Sequence, residues 1–248
     1  WRRDPVSQNW RLVPYRAGTP ASHILSLLKV DQRLYLGTLG GGPWCYESSS
    51  SWWQNLNLLI RRNGIPYIYL GDHDAVRWDN IYAMTRQGSR VWMGTNQGLI
   101  MHDPSGTPTG FEVIGPPGRI CTGVAVTDGL VWVAGTDGDV TAFDPEARTW
   151  KSNSTWRVDA PIRSLVVWHD ALCAATGKGL FRHGSDGATT ARMDGTNVAQ
   201  DVKGCWATST GLWFTVQSGL RVLPEPDAQP RTVEGSSAWG AIHCVTEM

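Results

Sequence analysis

Val91-Trp92-Met93-Gly94-Thr95-Asn96-Gln97-Gly98-Leu99 decides the fold, because four near-copies of it stand elsewhere in the same 248-residue chain. They are Leu34-Tyr35-Leu36-Gly37-Thr38, Val131-Trp132-Val133-Ala134-Gly135-Thr136, Leu172-Cys173-Ala174-Ala175-Thr176-Gly177-Lys178-Gly179-Leu180, and Leu212-Trp213-Phe214-Thr215-Val216-Gln217-Ser218-Gly219-Leu220. Trp92 to Trp132 is 40 positions, Trp132 to Cys173 is 41 and Cys173 to Trp213 is 40. Strand-like residues at a fixed period of this size, without helical periodicity, signal a propeller of about four strands per repeat.

Around each copy the strands can be written out. A strand precedes the motif at Ile24 to Val30, Ile81 to Thr85, Cys121 to Thr127, Ile162 to Trp168 and Val202 to Thr208, and polar turns such as Arg86-Gln87-Gly88-Ser89 and Thr127-Asp128-Gly129 separate the two, as a hairpin requires. Each repeat then reads as an inner strand A, the motif strand B, a Gly-containing loop, strand C and an outer strand D. Strand C ends near Asp-Pro at Asp103-Pro104 and Asp144-Pro145, and Asp4-Pro5 repeats the pattern. Pro cannot donate to the ladder and Asp bonds the backbone ahead of it, so these aspartates read as turn formers. The fold class expected is an all-β propeller with five full four-stranded blades. A sixth is shared between the termini, Trp239 to Thr246 giving its A strand and residues 1 to 16 its C and D strands, with no B strand in view. The whole chain, 1–248, reads as one propeller domain.

The first repeat breaks the rule. Tyr35 to Trp92 spans 57 positions, about 16 more than the period, and the excess falls at about 63–78. Insertions in regular repeats map to loops on one face, often the binding face.

Composition narrows the function. The chain has 22 basic and 22 acidic side chains and no net charge, so no attraction to nucleic acid or anionic membrane is implied. Its longest apolar runs, such as Leu165-Val166-Val167-Trp168, are strand-sized, which argues against membrane insertion and for a soluble chain. No signal peptide is visible, and the compartment stays unassigned. The five cysteines, Cys45, Cys121, Cys173, Cys205 and Cys244, lack paired spacing, so they read as small buried hydrophobes rather than a disulfide framework or zinc site.

Tyr35, Trp92, Trp132, Cys173 and Trp213 share one strand position, which favours packing between sheets. The tryptophans outside the motif, Trp44, Trp52, Trp53, Trp78, Trp156, Trp168, Trp206 and Trp239, are freer for recognition, although Trp168 and Trp206 read better as seals of the inner ring. The candidate ligand-binding set is Trp44, Trp53, Tyr67, Tyr69, His73 and Trp78, in and beside the insertion. Asp72-His73-Asp74 and Asp137-Gly138-Asp139 offer carboxylates without a second ligand cluster, so no metal is assigned. Gly40-Gly41-Gly42 lacks the Lys-Ser/Thr of a phosphate loop and reads as a tight turn. No catalytic residue is assigned: G-x-S-x-G and H-E-x-x-H are absent, and His23, His102, His169, His183 and His243 share no repeat position. No cofactor is implied.

The pattern apolar-Trp-apolar-Gly-Thr, two residues, Gly-Leu, then a strand ending Asp-Pro resembles the regulator-type propeller repeats of two-component sensor ectodomains; Val91 to Pro104 is the closest copy. Cys173 in place of the aromatic, Val216 in place of Thr, and the lack of Asp-Pro after Thr38, Leu180 and Leu220 depart from it. The resemblance implies a sensing or interaction module without chemistry of its own. The reading is a non-enzymatic propeller that binds a protein or glycan. The alternative is a propeller hydrolase or lyase with its site at the axial mouth, since one copy of the motif only, Leu212-Trp213-Phe214-Thr215, resembles the streptogramin lyase repeat.

Overall fold

The computed structural model describes residues 2–3, 10–11, 23–49, 52–56, 80–105, 111–115, 119–184, 190–193, 200–234 and 236–238. After a short pair, β1 (Arg2–Arg3) and β2 (Trp10–Arg11), five four-stranded antiparallel sheets follow in chain order. Blade one holds β3 (Ile24–Val30), β4 (Arg33–Thr38), β5 (Pro43–Glu47) and β6 (Trp52–Asn55); blade two holds β7 (Ile81–Gln87), β8 (Arg90–Thr95), β9 (Gly98–His102) and β10 (Phe111–Gly115). Blade three comprises β11 (Cys121–Thr127), β12 (Leu130–Gly135), β13 (Asp139–Asp144) and β14 (Thr149–Arg157), and blade four β15 (Ile162–Trp168), β16 (Ala171–Thr176), β17 (Gly179–His183) and β18 (Thr190–Arg192). Blade five is β19 (Gly204–Thr208), β20 (Gly211–Val216), β21 (Gly219–Leu223) and β22 (Arg231–Thr232). Among the described residues there is no α-helix, only one 3-10 turn at Ser236–Ala238. The protein is an all-β propeller, with the inner strands β3, β7, β11, β15 and β19 side by side about the axis. Of the expected sixth blade, only the β1–β2 pair falls within the described residues. A blade shared between the termini is therefore not shown, and residues 239–246 and the insertion at 63–78 lie outside the described residues.

Each element of the repeated motif has a structural task. The first Gly sits where the next blade comes closest: a Cβ on Gly94 would stand 2.6 Å from the Cys121 carbonyl oxygen, and one on Gly37 2.6 Å from that of Ile81. The following Thr fastens the B–C turn. Thr95 donates to the Gly98 carbonyl at 2.8 Å and accepts from the Gln97 N–H at 3.0 Å, and Thr176 repeats both bonds with Gly179 and Lys178 at 2.9 and 3.1 Å. The second Gly is required by backbone geometry, since φ is +123° at Gly98, +135° at Gly179 and +125° at Gly219, where a side chain is strained.

The aromatic of strand B wedges into the next blade, but not uniformly. Trp92 is 1% exposed and meets Phe143 of blade three edge-on at 6.0 Å, and Tyr35, fully buried, meets His102 of blade two at 5.9 Å. Trp132 and Trp213 are only half-buried, which corrects the expectation that all five positions are core. Cys173, at the same position, is fully buried beside Leu223 of blade five. The turn reading of the aspartates holds: Asp103 accepts from the Ser105 N–H at 3.0 Å, and Asp144 from the N–H groups of Glu146 and Ala147 at 3.0 and 2.9 Å. Asp4 lies outside the described residues.

Cys45, Cys121, Cys173 and Cys205 are free and buried. Burial pushes the Cys45 thiol up to about 11 and those of Cys121 and Cys205 to about 12, so no reactive thiolate forms near neutral pH. A thiol-specific disulfide reagent at pH 8 is expected to titrate at most one thiol per folded chain and all five in denaturant; a second fast-reacting thiol would refute the burial account. The close approach at the motif glycine is tested separately. Gly94→Ala should cost about 2–3 kcal/mol by overpacking against backbone, whereas Gly88→Ala, at φ +60° with open space around it, should cost about 1 kcal/mol. Urea titrations of both variants read the difference, and equal losses would contradict it.

Candidate functional site

The inner strands carry a repeated irregularity that shapes the axis. Pairing to strand B skips one residue between Ile24 and Ser26, Ile81 and Ala83, Cys121 and Gly123, and Ile162 and Ser164. Such a bulge leaves one residue out of the ladder and re-aims its side chain. The skipped residues are Leu25, Tyr82, Thr122 and Arg163, and Lys203 holds the same place in blade five, its N–H donating to the Thr215 carbonyl at 3.0 Å. All five line one axial cavity of about 560 Å³.

Hydroxyls beside the bulges tie blade to blade. Ser26 donates to the Ile81 carbonyl at 3.1 Å, Ser164 to that of Cys205 at 3.0 Å, and Thr122 to that of Ile162. The bonds to Ile81 and Ile162 satisfy carbonyls that the skipped pairing would otherwise leave open. The cavity wall is mostly apolar, with Leu27, Met84, Val124, Leu165 and Trp206 on it. The Trp206 ring folds over Gly204 so closely that a Cβ there would be 2.8 Å from it. Trp206 is half-buried on the cavity and Trp168 is 5% exposed in the core, so only the second acts purely as packing.

Strand direction defines the two ends of the propeller. Strand A begins opposite the end of B, as Ile24 opposite Thr38 shows, so the B–C loops and the D-to-A crossovers share what we call the upper end. Arg163 and Lys203 stand there and share Asp201 between them. The hydrogen bond from Lys203, followed by that from Arg163, holds the Asp201 carboxyl below its ordinary range. Arg119 reaches Asp137 at 3.2 Å and the Asp139 carbonyl at 2.6 Å, and Lys178 reaches Asp159 at 2.8 Å. Asp137 also accepts from the Asp139 N–H at 3.1 Å, so this pair closes a turn; among the described residues no group of three metal-ligating side chains assembles.

The large apolar side chains most exposed among the described residues, Ile24 at 42%, Leu39 at 44% and Ile120 at 38%, are all at the upper end. The crossover from β6 to β7, which contains the insertion, leaves and re-enters the fold at that end too.

Of the site residues expected from sequence, Trp44 is 8% exposed, its indole N–H donating to the Gly41 carbonyl at 3.2 Å, and Trp53 is half-buried against Tyr46 at 5.0 Å. Tyr67, Tyr69, His73 and Trp78 lie outside the described residues. The four described histidines do not converge. His102 is buried against Phe111 at 4.3 Å, His183 stacks on Trp156 at 5.1 Å, His169 sits at φ +47° in a lower-end turn, and His23 is exposed at the upper end. Sequence reasoning passed over Arg163, Lys203, Ile24, Leu39 and Ile120. Aligning the A strands position by position carries a usable signal, since charge enters the bulge position only in blades four and five.

No protein-family model matches the chain, and neither does any curated protein. Solved structures do. The extracellular domain of a putative hybrid two component system from B. thetaiotaomicron superimposes with a TM-score of 0.62 at 14% identity, over 87% of this chain and 28% of that one. PorZ, a surface component of the type-IX secretion system of Porphyromonas gingivalis, gives 0.62 at 12% identity, over 87% and 28%. The WD40 domain of Neurospora crassa Pan2 gives 0.59 at 12%, over 86% and 65%. The chain thus spans 28% of the length of the first two. At such identities the likeness is one of fold, and by fold the chain is a β-propeller similar to that of a two-component sensor ectodomain.

Proposed function

We propose that the protein is a non-enzymatic binding or sensing propeller that engages a protein or glycan through its upper end. One observation carries the reading: Ile24, Leu39 and Ile120 are exposed at the end where the insertion joins the fold. Exposed aliphatic side chains beside polar loops suit a macromolecular partner, and their lack of aromatic faces favours a protein over a glycan. The motif residues are engaged by the scaffold, which leaves the loops for recognition. The neighbours that act as a sensor ectodomain and a secretion-system surface component are consistent with this role. For the hydrolase or lyase alternative, the described residues lining the cavity include no His, Asp or Glu to act as general acid or base.

Protein and glycan arrays probed with the wild type, an Ile24→Ser/Leu39→Ser/Ile120→Ser variant and a variant with residues 63–78 replaced by a Gly-Ser linker test the reading. A hit should weaken at least about tenfold in both variants, as loss of an interface anchor implies. It should survive Arg148→Ala, at the lower end. A hit indifferent to the upper-end changes overturns the proposal, and cleavage of the bound ligand, followed by mass spectrometry, favours the enzyme.

We also propose that a sixth blade, shared between the termini, closes the ring. The β1–β2 register, Arg3 opposite Trp10 and Arg2 opposite Arg11, has the spacing of Phe143 opposite Trp150 and Ala142 opposite Lys151 in blade three. Ile81, Cys121, Ile162 and Val202, at the start of successive inner strands, are fully buried. A further step of 40 from Val202 falls on Ile242. Removing residues 239–248 should lower Tm by roughly 5 °C or more, at a few degrees per kcal/mol of lost burial; an unchanged Tm counts against closure.

A further inference from the structure

We propose that the axial cavity is a second binding site, for a small organic anion with a flat apolar body. This goes beyond recognition of a macromolecule at the upper end and does not depend on it. The cavity's volume of about 560 Å³ falls within the range of small-molecule pockets, roughly 300–1,000 Å³, which pair apolar walls with a few placed polar groups. Its walls are mostly apolar, and Trp206 and Tyr82 supply aromatic surface.

The polar groups select charge. Arg163 and Lys203 bring two positive charges to the mouth, and the Asp201 carboxylate between them cancels one. No carboxylate is among the described lining residues, so among these the mouth carries a net positive charge. An anion there meets the guanidinium and the ammonium while its body lies on the apolar part of the wall.

Two fluorescent probes with one aromatic skeleton test this: 8-anilinonaphthalene-1-sulfonate and the neutral N-phenyl-1-naphthylamine. The sulfonate should bind the folded protein one to one. Arg163→Met/Lys203→Met should weaken it about tenfold, the loss of charge-assisted bonds, with the neutral probe little changed. Asp201→Asn, which frees both cations, should strengthen it. The proposal is overturned by absence of saturable sulfonate binding at micromolar protein. It is equally overturned if both probes respond alike to the charge variants, or if binding ignores them and instead disappears in the Ile24→Ser/Leu39→Ser/Ile120→Ser variant.

Discussion

The structure depends on how near one blade's inner-strand backbone comes to the motif strand of the blade before it. At Gly37 and Gly94 the space for a Cβ is already filled by the next blade's carbonyl. That contact sets the wedge between sheets, the depth of the aromatic beside it, and the orientation of the bulge that follows. Later blades carry Ala134, Ala175 and Thr215 at this place, each larger than glycine.

A propeller whose repeats stack around an axis has two kinds of polar obligation. Backbone groups within a blade are met by its own ladder, but the skipped pairing in the A strands of blades one to four opens a carbonyl. Ser26 and Thr122 meet that obligation across the blade boundary at Ile81 and Ile162, and Ser164 bonds the Cys205 carbonyl of blade five. The same bulge turns one side chain per blade toward the axis. Fold closure and cavity lining are therefore two consequences of one backbone irregularity, and the identity of the bulged residue decides the character of the cavity without disturbing the ladder.

Surface charge plays a smaller part. The pairs at both ends, such as Lys178 with Asp159 and Arg148 with Glu112, are largely exposed, so each contributes little to stability. Their effect is to leave most of the surface neutral, in keeping with zero net charge, and so to make the unequal grouping of Arg163, Lys203 and Asp201 stand out.

The sequence by itself determined the repeat, the strand order within each blade, the turn role of Asp103 and Asp144, and the burial of the four described cysteines. Each of these follows from local chemistry: a positive φ needs Gly, a turn needs a short acceptor, and a strand buried on both faces needs apolar residues. Tertiary structure decided the rest. Trp92 and Trp132 occupy one sequence position, yet only the first is fully covered, because coverage comes from the neighbouring blade. Arg163 and Lys203 are 40 residues apart and become neighbours only when successive A strands line one axis. Ile24 and Leu39 look like ordinary strand residues until the ends of the sheets are in place. Binding surfaces here arise from what different blades bring together, and a periodic sequence states only what each blade has in common.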